Sequence, residues 1–219
     1  MKLKKKNIII SICLIMLSVI YTILVKYVDV APIGPKASSV GFSTLNKFVF
    51  NFLGRSNIWY NITEVLGMIS ILIALFYALI GLYKLIKNKS ILKIDKEIII
   101  LGIFYFVVLL VYLFFEKVII NYRPILVKGV LEASYPSSHT MLSICICLSA
   151  MIINNKLYKN MRISKIINTL SIIIMITTTI GRLLSGMHWV SDILGGIIIS
   201  ICLSYIFKTV IYSLNEEES

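Results

Sequence analysis

"GRLLSGMHWVSDILGGIIISICLSYIF", residues 181 to 207, sets a polar cluster directly against an apolar run. The run from Val190 to Phe207 carries one charge, Asp192, near its start. About 20 such residues cross a hydrocarbon core as a helix. The cluster before it places Arg182, His188 and Asp192 within twelve positions. A carboxylate inside an apolar stretch is costly and demands a partner, so a greasy chain that keeps these groups together has a chemical reason to do so.

Five further apolar stretches accompany this one. Ile8 to Val25 and Ile98 to Phe115 carry no charge. Ile58 to Tyr83 carries only Glu64, and Ser137 to Ile153 carries only His139. Ile166 to Ile180 carries none. The pattern predicts an all-α fold, an integral membrane bundle of six transmembrane helices forming one domain over residues 1–219. With 58% of its 219 residues hydrophobic, the chain has more apolar surface than a soluble domain of this length hides. Lys2, Lys4, Lys5 and Lys6 precede the first stretch, as in a signal peptide. The stretch is long for that role and no small-residue cleavage site follows, so it reads as a retained helix.

The net charge of +12 comes from 22 basic and 10 acidic residues. On a membrane protein such an excess marks cytoplasmic segments and contact with anionic lipids, so membrane lipids are the expected partners and nucleic acid is not. The wealth of Ile, Lys and Asn points to an AT-rich bacterial genome and hence to a bacterial plasma membrane. Cys13, Cys145, Cys147 and Cys202 all lie in apolar stretches without metal or disulfide spacing, as small packing residues do.

Orientation follows from Lys and Arg. With both termini cytoplasmic, the inner segments hold Lys2, Lys4, Lys5, Lys6, Lys84, Lys87, Lys89, Lys93, Lys96, Lys156, Lys159, Arg162, Lys165 and Lys208, which is 14 of the 22. The tail "NEEES" is then a solvated cytoplasmic end. Both polar clusters, "NYRPILVKGVLEASYPSSHT" and "GRLLSGMHWVSD", fall on the extracytoplasmic side, where they can cooperate. Residues 28–57 form an extracytoplasmic loop. Its part from 33 to 57 reads either as a connector or as an amphipathic cover lying in the membrane interface beside the site.

His188 and Asp192 are four apart at a helix start and so share one face. The spacing suggests that the carboxylate accepts a bond from one ring nitrogen, fixing the tautomer and freeing the other to attack. Arg182, six residues earlier, offers a planar fork suited to phosphate. In the other cluster Ser137, Ser138 and His139 open a helix, whose free N–H groups bind anions. Arg123 lies upstream, and Pro124 is expected to end an extension of the third helix. Taken singly, each has a plain structural explanation: an N-cap serine, an interfacial histidine or a topological arginine. Together they suit metal-free phosphoryl transfer. One histidine attacks phosphorus, the other protonates the leaving oxygen, and arginines and amides hold the charge.

"EKVIINYRP", "PSSH" and "GRLLSGMHWVSD" resemble the three motifs KxxxxxxRP, PSGH and SRxxxxxHxxxD of the type 2 phosphatidic acid phosphatases, membrane lipid phosphate phosphatases. The motif core lies within residues 116–192 and the six helices extend the likeness over nearly the whole chain. The resemblance implies catalysis by His188 as a nucleophile that becomes phosphohistidine, Asp192 as its orienter and His139 as general acid. It further implies phosphate binding by Arg123, Ser137, the Ser138 backbone and Arg182, with no metal and no cofactor. Three positions depart from the pattern. Glu116 occupies the lysine slot, with Lys117 one place late and turned by about 100° on a helix. Ser138 replaces a glycine, and Gly181 replaces a serine. Glu116 is a candidate brace for Arg123 or Arg182.

The expected function is therefore metal-independent hydrolysis of a lipid phosphate or diphosphate at the extracytoplasmic face. The family's range and the side of the site favour undecaprenyl diphosphate, with phosphatidylglycerophosphate and phosphatidic acid as alternatives. A transporter or flippase would use Glu64 and Asp192 as pathway charges, but the polar groups gather at one face and no broken-helix pair lies near the midplane. A non-catalytic lipid-binding relative is the third reading.

Overall fold

The structure, a computed structural model, describes the backbone of residues 2–157 and 161–218, with side chains for 5–156, 162 and 164–214. Lys159 and Ser219 lie outside the described residues, as do the side chains of Lys2, Lys4 and the acidic tail. Among the described residues are the helices α1 (Lys2–Tyr27), α2 (Ser43–Leu53), α3 (Asn57–Asn88), α4 (Lys96–Lys117), α5 (Ser138–Leu157), α6 (Met161–Leu184) and α7 (Val190–Glu218). All but α2 are long and apolar enough to cross a membrane, matching the six stretches. The helices outrun the apolar runs: α7 continues to Glu218, past Phe207.

Adjacent spans alternate in direction, so the start of α1 and the end of α7 lie at one end of the bundle. The opposite end carries α2, the 118–137 connection and the turn at 185–189; it is the site end. The shortest span, α5, sits innermost against α3, α6 and α7. Met141, Cys145, Cys147 and Ile153 are fully buried there, with Ser143, Ser149 and Ala150 between them. Small residues let membrane helices approach closely without a hydrophobic drive between them. All four cysteines are free thiols.

α1 is fastened to the bundle near the site. Tyr21 Oη donates to the Ser191 carbonyl at 3.1 Å, and Thr22 bonds the Tyr135 hydroxyl at 2.8 Å. Lys26 Nζ donates to the Ile119 carbonyl at 2.8 Å.

The 28–56 connection is built rather than loose. Asp29 accepts from Ser43 Oγ at 2.9 Å and from the Thr44 amide at 2.8 Å, anchoring a carboxylate at the N-terminus of α2. Inward, α2 buries Asn46, which bonds Ser191 through both side-chain atoms, and sets Phe50 against Trp189 at 5.5 Å. Outward it presents Phe48 and Phe52, stacked at 6.5 Å and 68% and 80% exposed.

One sequence expectation is corrected. No extension of the third span reaches Pro124: α4 ends at Lys117. Residues 119–135 instead fold back on themselves through bridges pairing Tyr122 with Ala133 and Val127 with Val130. Ser134 N donates to Asn121 O at 2.9 Å, and Arg123 N to Glu132 O at 3.1 Å. The return is locked by Asn121, fully buried, whose Oδ1 accepts from Gly41 N at 3.0 Å. A helix through Pro124 would leave that side chain without these partners, and a buried unpaired amide is costly.

Candidate active site

The hairpin sets Arg123 and Ser134 side by side, facing the turn that carries His188. Glu116, Arg123, Ser134, Ser138 and His188 line one narrow cleft at the site end. His188 is buried, 2% exposed, and its Nδ1 lies 2.9 Å from the Ser134 carbonyl. A carbonyl can only accept, so Nδ1 carries the proton and Nε2 bears the lone pair. Nε2 has no hydrogen-bond partner among the described residues. Burial holds the imidazole pKa well below its usual value, and the nearby charges of Arg123, Arg182 and His139 push it further down. A neutral ring with a free Nε2 is the form that attacks phosphorus.

Asp192 does not take the ring directly, as the i to i+4 spacing suggested. Ser134 stands between them. Its hydroxyl donates to Asp192 Oδ2 and lies 3.2 Å from His188 Nδ1. Asp192 Oδ2 also accepts from Trp189 N at 3.0 Å, and Oδ1 from Asn121 Nδ2 at 3.0 Å. The carboxylate thus orients the hairpin serine and the first turn of α7, and the serine carbonyl orients the histidine. Asn121 and Ser134 carry no motif or periodicity that sequence reading could have caught.

Ser137 is not a plain N-cap. Its amide donates to the Asp192 carbonyl at 3.0 Å, while its buried Oγ has no partner among the described residues. Arg182, 1% exposed, is held by α3: Nη1 donates to Glu64 Oε1 at 2.9 Å and to Thr63 Oγ1 at 3.3 Å. Its Nε has no partner among the described residues. Arg123 Nε donates to the Ala133 carbonyl at 3.3 Å and stands 3.3 Å from Glu132 Oε2. His139 Nε2 stands 3.3 Å from Glu64 Oε1. Buried donors and an imidazole lone pair without protein partners, set among two guanidiniums, suit an oxyanion such as phosphate.

The acidic braces of the two arginines are therefore Glu132 and Glu64, and not Glu116 as the sequence suggested. Glu116 lines the cleft, whereas Lys117 is exposed outside it. The glycine at 181 has a packing reason. A Cβ there would meet Thr63 Cγ2 at 2.5 Å and Trp59 Cε3 at 3.0 Å. The close approach of α6 to α3 delivers Thr63 Oγ1 to Arg182, so a hydroxyl from α3 supports this arginine. Gly181→Ala is expected to lower stability by about 1–3 kcal/mol through overpacking. Thermal unfolding in detergent reads the loss, and adding Thr63→Ser, which removes Cγ2 but keeps the hydroxyl, should recover part of it. A Gly181→Ala protein as stable as the parent would contradict the packing argument.

A buried histidine with an unpartnered ring nitrogen, two arginines beside it and six apolar spans are features that suit a membrane-embedded phosphatase. A family model of the PAP2 superfamily matches residues 67–216, and the chain belongs to that superfamily. It shares its fold with the crystal structure of the first transmembrane PAP2 type phosphatidylglycerolphosphate phosphatase from Bacillus subtilis. The TM-score is 0.59 at 16% sequence identity, over 95% of this chain and 97% of that one. No curated protein matches the sequence significantly.

Proposed function

We propose that this protein hydrolyses a lipid phosphomonoester through a phosphohistidine on His188. One observation carries the reading: a buried imidazole, its tautomer held by the Ser134 carbonyl, with an unengaged Nε2 in a cleft shared with Arg123. In the first half-reaction the Nε2–P bond forms as the P–O bond to the leaving group breaks, and His139 gives that oxygen its proton. In the second, water attacks phosphorus, His139 takes back a proton, and phosphate leaves with His188 neutral again. Arg123, Arg182, Ser137 Oγ and the free amides at the start of α5 hold the equatorial oxygens, where charge develops.

The basic residues favour the far end of the bundle as cytoplasmic, which puts the site at the outer face of a bacterial plasma membrane. There the exposed Phe48 and Phe52 of α2 fit the headgroup boundary.

Glu64, Glu116 and Glu132 surround the two arginines. With three carboxylates near two cations, a single terminal phosphate is better matched than a diphosphate, whose directly joined second phosphate would meet Glu116. This balance supports phosphatidylglycerophosphate or phosphatidic acid, the former being the substrate named for the Bacillus subtilis structure. Undecaprenyl diphosphate, favoured by the side of the site, is the second reading.

Phosphate release from a panel of these lipids in detergent, with chelator present, decides between them. Glu116→Lys is expected to raise kcat/KM for diphosphates over monophosphates by about tenfold, the scale of one partly screened charge contact. An unchanged ratio would make Glu116 structural, and parent activity confined to the diphosphate would overturn the monoester reading.

A further inference from the structure

We propose that Glu64 is the positioning residue of the leaving-group proton. It holds His139 by Nε2, so that the proton offered to substrate is the one on Nδ1. The inference rests on the phosphatase reading above and extends it to a helix outside all three motifs.

Glu64 is the lone charge in the apolar stretch from Ile58 to Tyr83. A carboxylate there is costly unless partnered. Its Oε1 meets two groups: Arg182 Nη1 at 2.9 Å and His139 Nε2 at 3.3 Å. One oxygen thereby ties the last turn of α6 to the first turn of α5. The neighbouring face of α3 is shaped for the ring. A Cβ on Gly67 would stand 2.7 Å from His139 Cδ2 and 3.0 Å from Nε2, so only glycine lets this edge of the imidazole lie against the helix. Glu64 and Gly67 are three apart and adjacent on the helix surface. One supplies the acceptor and the other the space.

The charges facing His139 are Glu64 from α3, Arg182 from α6 and Arg123 from the hairpin, with the His188 ring across the site. Two of those are fixed cations that oppose an imidazolium. Glu64 is the anion that offsets them. Without it, the fixed charges left facing His139 are the two guanidiniums. In the step itself, Nδ1–H of the imidazolium passes to the leaving oxygen as the P–O bond breaks. The neutral ring remains bonded to Glu64 through Nε2–H. When water attacks the phosphohistidine, Nδ1 receives the proton and the pair is restored.

General acid catalysis matters in proportion to the basicity of the leaving oxygen. An alkoxide leaving from a lipid phosphate needs the proton, and a nitrophenolate leaving from p-nitrophenyl phosphate hardly does. The test compares kcat/KM for a short-chain phosphatidic acid and for p-nitrophenyl phosphate in the parent, Glu64→Gln, Glu64→Asp and His139→Asn. Glu64→Gln keeps size and one hydrogen bond but removes the charge. We expect it to lose roughly tenfold to hundredfold more on the alkyl than on the aryl substrate, in the direction of His139→Asn, a share of the usual effect of a general acid. Glu64→Asp should recover part of the difference. A reduced folded fraction lowers both substrates alike, so the ratio is independent of folding. Equal losses on the two substrates, or none on either, would overturn the role of Glu64 alone. A parent protein that releases phosphate from neither substrate would overturn the monoester reading on which this role rests.

Discussion

His188→Gln is expected to abolish phosphate release from every substrate that the parent turns over, by roughly 10^4-fold or more, the scale seen when a catalytic nucleophile is removed. Glutamine approximates the volume of imidazole and can still donate to the Ser134 carbonyl, which now holds Nδ1 at 2.9 Å. The variant therefore keeps the packing at a site only 2% exposed and loses only the nucleophilic nitrogen. Circular dichroism and thermal unfolding close to those of the parent would establish that the loss is chemical. Quenching the parent during turnover of radiolabelled substrate should yield protein-bound phosphate that survives base and is released by acid, as a phosphoramidate is. The label should be absent from His188→Gln and should accumulate in no serine or aspartate. A His188→Gln protein with substantial residual activity would remove the proposed mechanism.

Asp192→Asn is expected to act mainly on stability, by about 1–3 kcal/mol, the cost of leaving a buried donor unsatisfied. Three donors converge on the two carboxylate oxygens: Ser134 Oγ and Trp189 N on Oδ2, and Asn121 Nδ2 on Oδ1. Asparagine has a single acceptor oxygen. If that oxygen serves Ser134 and Trp189, its NH2 meets the NH2 of Asn121. Asn121 cannot flip to relieve the clash, because its Oδ1 is committed to Gly41 N at 3.0 Å. The conflict is transmitted to Ser134, and through it to the ring. The rate loss should be about 10- to 100-fold, well below the ~10^4 seen where a carboxylate bonds the histidine itself and sets its tautomer. Here a backbone carbonyl keeps the tautomer whatever residue stands at 192. Thermal unfolding in detergent and kcat/KM on the same preparations separate the two effects. A loss in rate as large as that of His188→Gln, with stability untouched, would mean that Asp192 touches the ring during turnover.

Much of this architecture was legible before any coordinates. Hydropathy is a local property, so each of the six spans announces itself in its own residues. Arg182, His188 and Asp192 are also close in sequence, and the structure keeps them at one end of the bundle. The hairpin at 119–135 was not legible: it has no periodicity, and Pro124 invited a helix boundary that the buried Asn121 overrides. Nor was Ser134, which is 54 positions from the histidine it orients. Glu64 is visible in the sequence only as a lone charge in grease, which only the disfavoured transporter alternative would put to use. Its partner Arg182 is 118 positions away, and only the packing of α3 on α6 makes the pair.

What this chain settles without tertiary information is its solvent and its chemistry. Apolar runs of spanning length require a bilayer, and the motif residues are those of a phosphatase superfamily whose model matches residues 67–216. Tertiary structure alone decides who holds whom. Asp192 reaches the histidine through Ser134, Glu64 rather than Glu116 braces Arg182, and Gly181 is small because Thr63 and Trp59 press on it. The physical reason is range. Burying a hydrophobic run is decided residue by residue against lipid, whereas a buried polar group must find partners wherever the packed helices bring them, and sequence distance says nothing about that.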